Sequence, residues 1–317
     1  MKKFLLIACG LLVLTGCKKT TPGALVDPAL ITLVPADTTM LVGIRVEDLL
    51  KTSIYKNHLA DRAIGPLDEF TKEFGMDPRK DLWEVLFIYN GKETVLLGRG
   101  KFPSEPEQRF EREMKGATRT NYRGYTLVGD EQNAILLLGP TLAGMGDTAG
   151  LKRIIDAKNQ TNGPPAVLAN RMKEVPVTAG IWAVYAGSPI SLPANASANV
   201  GNMVKVLNSI ESGAFYLDLR SNVSGKATGV TATDPNAKQL YDSLRGLLGL
   251  ARLMGSKDDV KMQRLFDGLR ITQDGRNVNL YIEEQEDSIT TLIDLMNMSG
   301  PVKGRPGVAS PRVQPLK

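Results

Sequence analysis

The chain has 317 residues, 42% of them apolar and 23% charged, with two cysteines and a formal charge of +5. Both cysteines, Cys9 and Cys17, fall in the N-terminal leader, which excludes a disulfide framework and any cysteine-based metal or nucleophilic site in the body. The excess charge is terminal: without Lys2, Lys3, Lys18, Lys19, Lys303, Arg305, Arg312 and Lys317 the balance becomes −3, so the body offers no basic stripe for a nucleic acid.

In chain order, Lys2 and Lys3 precede an apolar run, Phe4 to Leu14. The run is too short to span a bilayer and has the form of an export leader. It ends at Leu14-Thr15-Gly16-Cys17, which resembles the lipobox of bacterial lipoproteins. That resemblance implies a signal peptide over 1–16, cleavage before Cys17 and lipidation of Cys17. Leu6-Ile7-Ala8-Cys9 matches the pattern nominally but leaves only Phe4 to Ala8 as the apolar segment. Lys18 stands where the sorting rule of enteric lipoproteins reads aspartate as inner-membrane retention, so the expected address is the outer membrane, facing the periplasm. Residues 17–32 then form anchor and tether, with Lys18 and Lys19 against anionic headgroups. An exported body of about 280 residues needs no staples, because it buries roughly three quarters of its unfolded surface.

The body opens with a predicted strand, Met40 to Val46, and a helix from Glu47 to Phe74 interrupted at Gly65-Pro66. WEVLFIYNGKETVLLGRGKF predicts a hairpin turning at Asn90-Gly91, and SEPEQRFEREMKG a short exposed helix. RGYTLVGDEQNAILLL predicts a second hairpin, followed by TLAGMGD and an amphipathic helix. In the second half, Asp234 is placed as an N-cap with Pro235 at the first helical position. Leu240, Leu244, Leu247, Leu248 and Ala251 then recur at helical spacing, and Asp274-Gly275 turns a further hairpin. From Ser299 the tail alternates proline, glycine and basic residues and cannot bury enough surface to offset its ordering entropy.

Three pairs of segments recur in the same order about 140 residues apart. LVPADTTMLVGIRV lies over EVPVTAGIWAVYAG, with Met40 over Ile181 and Leu41 over Trp182; GKETVLLG lies over GKATGVTA; and the hairpin at 123–138 lies over that at 267–282, with Asn133 over Asn277. The expected architecture is α+β: two related modules, 33–165 and 166–298, of mainly antiparallel sheet built from hairpins and covered by helices, then a disordered tail over 299–317.

AILLLGPTLAGMGDTAGLKRIID sets a strand, three glycines and a helix in a row, the outline of a dinucleotide-binding turn. Gly139-Pro140 ends the strand before the glycines, however, the stretch about 20 residues beyond Gly146, GPPAVLANRM, brings no carboxylate before Glu174, and the second copy lacks the glycines. No phosphate loop is present, and no cofactor is expected. His58 is the one histidine. It lies near Ser53 and Asp61, but without a strained nucleophile elbow these three do not make a catalytic triad, and a packing role for His58 is favoured. With one histidine and no body cysteine, only an all-oxygen metal site remains open. The carboxylates Glu283 with Glu284, Glu286 with Asp287, Asp258 with Asp259, and Glu105, Glu107, Glu111 and Glu113 lie in polar stretches where solvated faces are the ordinary reading.

YAGSPISLPANASANVGNMV, 185–204, carries no charge and replaces the charged helix of the first half. Ser188, Ile190, Leu192, Asn195 and Asn199 form either a contact lip for a ligand, partner or membrane, or a loop packed between the modules. The PADT at Pro35–Thr38, DPRKDLWE at Asp77–Glu84, GIWAV at Gly180–Val184 and the long stretch Ala237–Met254 together resemble a group of bacterial exported lipoproteins without an assigned activity. The resemblance implies fold and compartment and carries over no catalytic residue. The expected role is a non-enzymatic, lipid-anchored envelope protein that binds an envelope protein or an apolar ligand; the alternative is a hydrolase whose carboxylates converge only on folding.

Overall fold

The computed structural model describes residues 24–61, 75–102, 116–158, 163–187, 208–254 and 260–288, with a few isolated positions between them. Its strands are β1 (Met40–Ile44), β2 (Leu82–Tyr89), β3 (Thr94–Gly100), β4 (Thr118–Tyr122), β5 (Tyr125–Gly129), β6 (Asn133–Gly139), β7 (Leu142–Asp147), β8 (Ile181–Ala186), β9 (Ile210–Asp218), β10 (Val223–Thr231), β11 (Leu269–Asp274) and β12 (Asn277–Glu284). They form one twelve-stranded sheet in the order β11-β12-β10-β9-β8-β1-β2-β3-β7-β6-β5-β4. Neighbours are antiparallel throughout. The fold is α+β, as the hairpin pattern predicts.

The two halves of the sequence meet at the centre of this sheet. In the β1–β8 pair Met40 lies opposite Tyr185 and Ile44 opposite Ile181, so exchanging the strands maps the pairing onto itself. Outward from this pair, Phe87 and Phe215 occupy equivalent places, then Leu96 and Ala227, then Met145 and Leu280, then Ile135 and Ile271. The β11–β12 hairpin therefore corresponds to β6–β7 and not to β5–β6. Asn277 takes the place of Leu142, and the expected match with Asn133 fails. GKATGVTA also lies in β10 up to its last residue, whereas Gly91 and Lys92 of GKETVLLG belong to a turn. Period-two alternation looks alike in any antiparallel hairpin, so residue matching slides between neighbouring hairpins.

Registers carry a single row across the buried face: Leu127, Leu136, Gly144, Leu97, Leu86, Gly43, Trp182 and Tyr216. On this row lie Pro28–Ile31 (α1), Thr148–Lys158 (which, after the short α2 at Val46–Lys51 and α3 at Pro78–Asp81, is α4) and Ala166–Met172 (α5). They contribute Leu30, Leu151, Ile154, Ile155 and Leu168, each fully buried. The row contains glycine where a large partner crosses it. The Trp182 indole lies over Gly43, and a Cβ on Gly144 would stand 3.0 Å from Leu151 Cδ2. Gly150 of α4 lies against Val95 in the same way, so these glycines serve helix-to-sheet contact rather than a phosphate. The same row continues into Lys226, Tyr281 and Arg270, where the two cations stand 5.5 and 4.2 Å from the Tyr281 ring centre.

Asp234–Met254 (α6) packs Ala237, Leu240, Tyr241 and Leu244 against Val278 and Ile271, and Val260–Asp267 (α7) follows it. Thr233, rather than Asp234, caps α6: its Oγ1 accepts from the Asn236 N–H at 3.3 Å. Burial fades along the helix, so Leu247, expected on the packed face, is 47% exposed. None of the described helices is long and apolar enough to cross a membrane.

Candidate functional site

Thr52 ends the helix that the sequence extends to Phe74. Its hydroxyl donates to the Leu49 carbonyl at 2.7 Å and accepts the Tyr55 N–H at 3.1 Å, so one side chain closes α2 and opens the next turn. That next turn, Tyr55–Leu59, is π-helical. The break thus falls at Thr52-Ser53; Gly65-Pro66 lies outside the described residues.

Ser53 before the π-turn and Asn57 and His58 within it bring three side chains of the first half to one carboxylate of the second. Ser53 Oγ donates to Glu286 Oε2 at 3.2 Å, Asn57 Nδ2 to Oε1 at 2.6 Å, and His58 Nε2 lies 3.2 Å from the same oxygen. Ser53 Oγ is also within 3.3 Å of the Arg220 carbonyl. Ser53 and His58 do converge, but on a shared acceptor. A serine hydroxyl directed at a carboxylate has no imidazole to take its proton, so the arrangement braces two parts of the chain and does not activate a nucleophile. Asp61 is exposed beyond the π-turn. The sequence offers Glu286 only as half of a polar pair with Asp287, because nothing local ties it to a helix more than two hundred residues away.

Beside this brace opens a cleft of about 360 Å³. Leu49, Val177, Gly180 and Leu219 make its apolar lining, Thr52, Ser53 and Thr178 its polar walls, and Arg45, Asp48, Lys51 and Arg220 its rim. Those cations are neutralised locally: Arg45 by Asp48, Lys51 by Glu47 at 3.3 Å, and Arg220 by Asp218 at 2.7 Å. Burial raises the Asp218 carboxyl, but hydrogen bonds from the Arg220 side chain and backbone outweigh it and hold the group below its ordinary range. The cleft is therefore an apolar recess with a balanced rim, without a charge aimed inward.

The remaining sequence candidates disperse. Glu283 is exposed, while Glu284 receives the Ser288 hydroxyl at 2.9 Å, and Glu111 pairs with Arg119 at 2.7 Å. Glu105, Glu107, Glu113, Asp258 and Asp259 lie outside the described residues, as do Cys17 and the loop positions Ser188, Ile190, Leu192, Asn195 and Asn199. Among the described residues no three metal-ligating side chains converge. One carboxylate that the sequence reading passed over is Glu84, 8% exposed on the core face of β2 between Leu82 and Leu86. A polar residue in an otherwise apolar alternation was its visible signal.

No family model matches the chain, and no curated protein is similar to it. Among solved structures, crystal form III of TP0453 is similar over 85% of this chain and 98% of that one, at 13% identity and a TM-score of 0.50. Crystal forms I and IV of TP0453 give TM-scores of 0.45 at 15% and 12% identity. What this chain shares with TP0453 is the fold.

Proposed function

We propose that the protein is a lipid-anchored cell-envelope protein, held through Cys17 in the outer membrane facing the periplasm, that binds an apolar ligand or an envelope protein without chemistry of its own. The observation that supports binding is the cleft beside the brace, where an apolar lining and a charge-balanced rim suit an uncharged ligand or an apolar side chain. The anchor rests on Leu14-Thr15-Gly16-Cys17. Against the hydrolase reading stand Ser53, bonded to a carboxylate, and carboxylates spent on arginines or on the brace.

Native mass spectrometry of protein purified from membranes tests the reading. The expected result is a bound apolar molecule, or a partner crosslinked at the cleft, that is lost when Val177, 45% exposed on the cleft wall, becomes Trp. An unchanged complement of bound species in Val177→Trp contradicts the assignment of the cleft.

A further inference from the structure

The segment before β1 lies on the sheet through a buried carboxylate. Both oxygens of Glu84 accept the Asp27 N–H, each at 3.2 Å. Asp27 is itself the N-cap of α1, its Oδ1 accepting the Ala29 N–H at 2.7 Å, and its Oδ2 pairs with Arg99 Nε at 3.1 Å. Arg99 is fixed in turn by the Thr141 hydroxyl at 2.5 Å. Behind Asp27 the segment inserts Val26, Leu30, Leu33 and Val34 into the main core. Glu84 thus sits between Leu82 and Leu86 on the core face of β2, opposite Arg99 in the β2–β3 register and roofed by the N-terminal segment.

We propose that residues 24–34 form a pH-gated strap: its apolar side chains close it over the Glu84 carboxyl while that group is neutral, and ionisation of the covered carboxyl loosens the strap from the sheet. The charged groups that act on Glu84 come from the strap and from the strands and helix beside it. Asp27 lies on the strap, Arg99 on β3, Arg45 at the end of β1 and Asp48 on α2. Burial raises the Glu84 carboxyl from 4.5 to about 7; the Asp27 N–H and the charge of Arg45 oppose the rise, while the charges of Asp27 and Asp48 add to it. When the strap lifts, water reaches the carboxylate and its affinity for the proton returns towards the ordinary value. The closed form therefore binds the proton more tightly. Its advantage is complete below about 4.5 and is lost as pH rises through about 7. The strap joins the body to the N-terminal residues, so its release lengthens the connection whether or not that end carries a lipid.

Amide hydrogen exchange on the full-length protein at pH 6 and pH 8, corrected for intrinsic rates, tests this. The amides of Leu30, Ile31, Leu33 and Val34, all hydrogen-bonded within the strap, report its opening. Opening should increase roughly tenfold from pH 6 to pH 8 in the wild type, with the β2 and β3 amides unchanged, and Glu84→Gln should remove the increase. Flat wild-type protection, an increase shared equally by β2 and β3, or an increase that survives in Glu84→Gln overturns the proposal. If Glu84→Gln does not fold, the wild-type comparison of strap with β2 and β3 decides alone.

Discussion

At the scale of single residues, the two most informative positions are a buried acid and a buried glycine. Glu84 costs the folded state its desolvation whenever it is ionised, so global stability should fall as pH rises. The loss between pH 5 and pH 8 should be about 2 to 3 kcal/mol from this group alone. Urea unfolding at the two pH values measures it, and Glu84→Gln should show a correspondingly smaller difference. Gly43 lies beneath the Trp182 ring with no room for a Cβ. Gly43→Ala should cost about 1 to 3 kcal/mol through overpacking, read as a shift of the same urea transition. The sequence placed Trp182 in the core by its match to Leu41. It could not show that the neighbouring strand would present glycine there, because the β1–β8 register joins residues about 140 apart.

At the scale of elements, hairpins were legible and helices less so. Asn90-Gly91 and Asp274-Gly275 turn where the sequence places them, since turn chemistry is local: Asn90 Oδ1 accepts both the Lys92 and Glu93 N–H groups. The helix after β1 breaks earlier than the sequence places the break, at Thr52, because its hydroxyl competes for the backbone and the apolar period does not register that competition. Thr52→Ala should destabilise the joint by about 1 kcal/mol and weaken the hold of Ser53, Asn57 and His58 on Glu286, seen as faster exchange of the Tyr55–Leu59 amides. Along α6 the leucine spacing is uniform but burial is not, because the sheet beneath it ends. Leu240→Ala should therefore cost about 2 to 5 kcal/mol, whereas Leu250→Ala, at a position 56% exposed, should stay within about 0.5 kcal/mol of wild type. Thermal or urea unfolding separates the two.

At the scale of the whole molecule, the halves of the sequence fuse into one sheet whose centre is the near-symmetric β1–β8 pair. The class α+β followed from strand pairs alternating with helices. The continuity of the sheet did not, since it depends on an edge of one half accepting an edge of the other. The brace at Glu286 and the cleft beside it follow from that continuity, because they assemble residues from α2, the π-turn, the segment before β8, the β9–β10 loop and the turn after β12. Local patterns named Ser53 and His58, and long-range topology decided what they touch. The central claim is that this sheet hangs from a membrane by a lipid on Cys17. Intact mass of the protein recovered from membranes addresses it most directly, with Cys17→Ser as comparison. The account predicts a chain beginning at Cys17 with the added mass of acyl chains, and a Cys17→Ser protein released into the soluble fraction. A membrane-recovered chain with Cys17 unmodified, or one cleaved at another position, would contradict it.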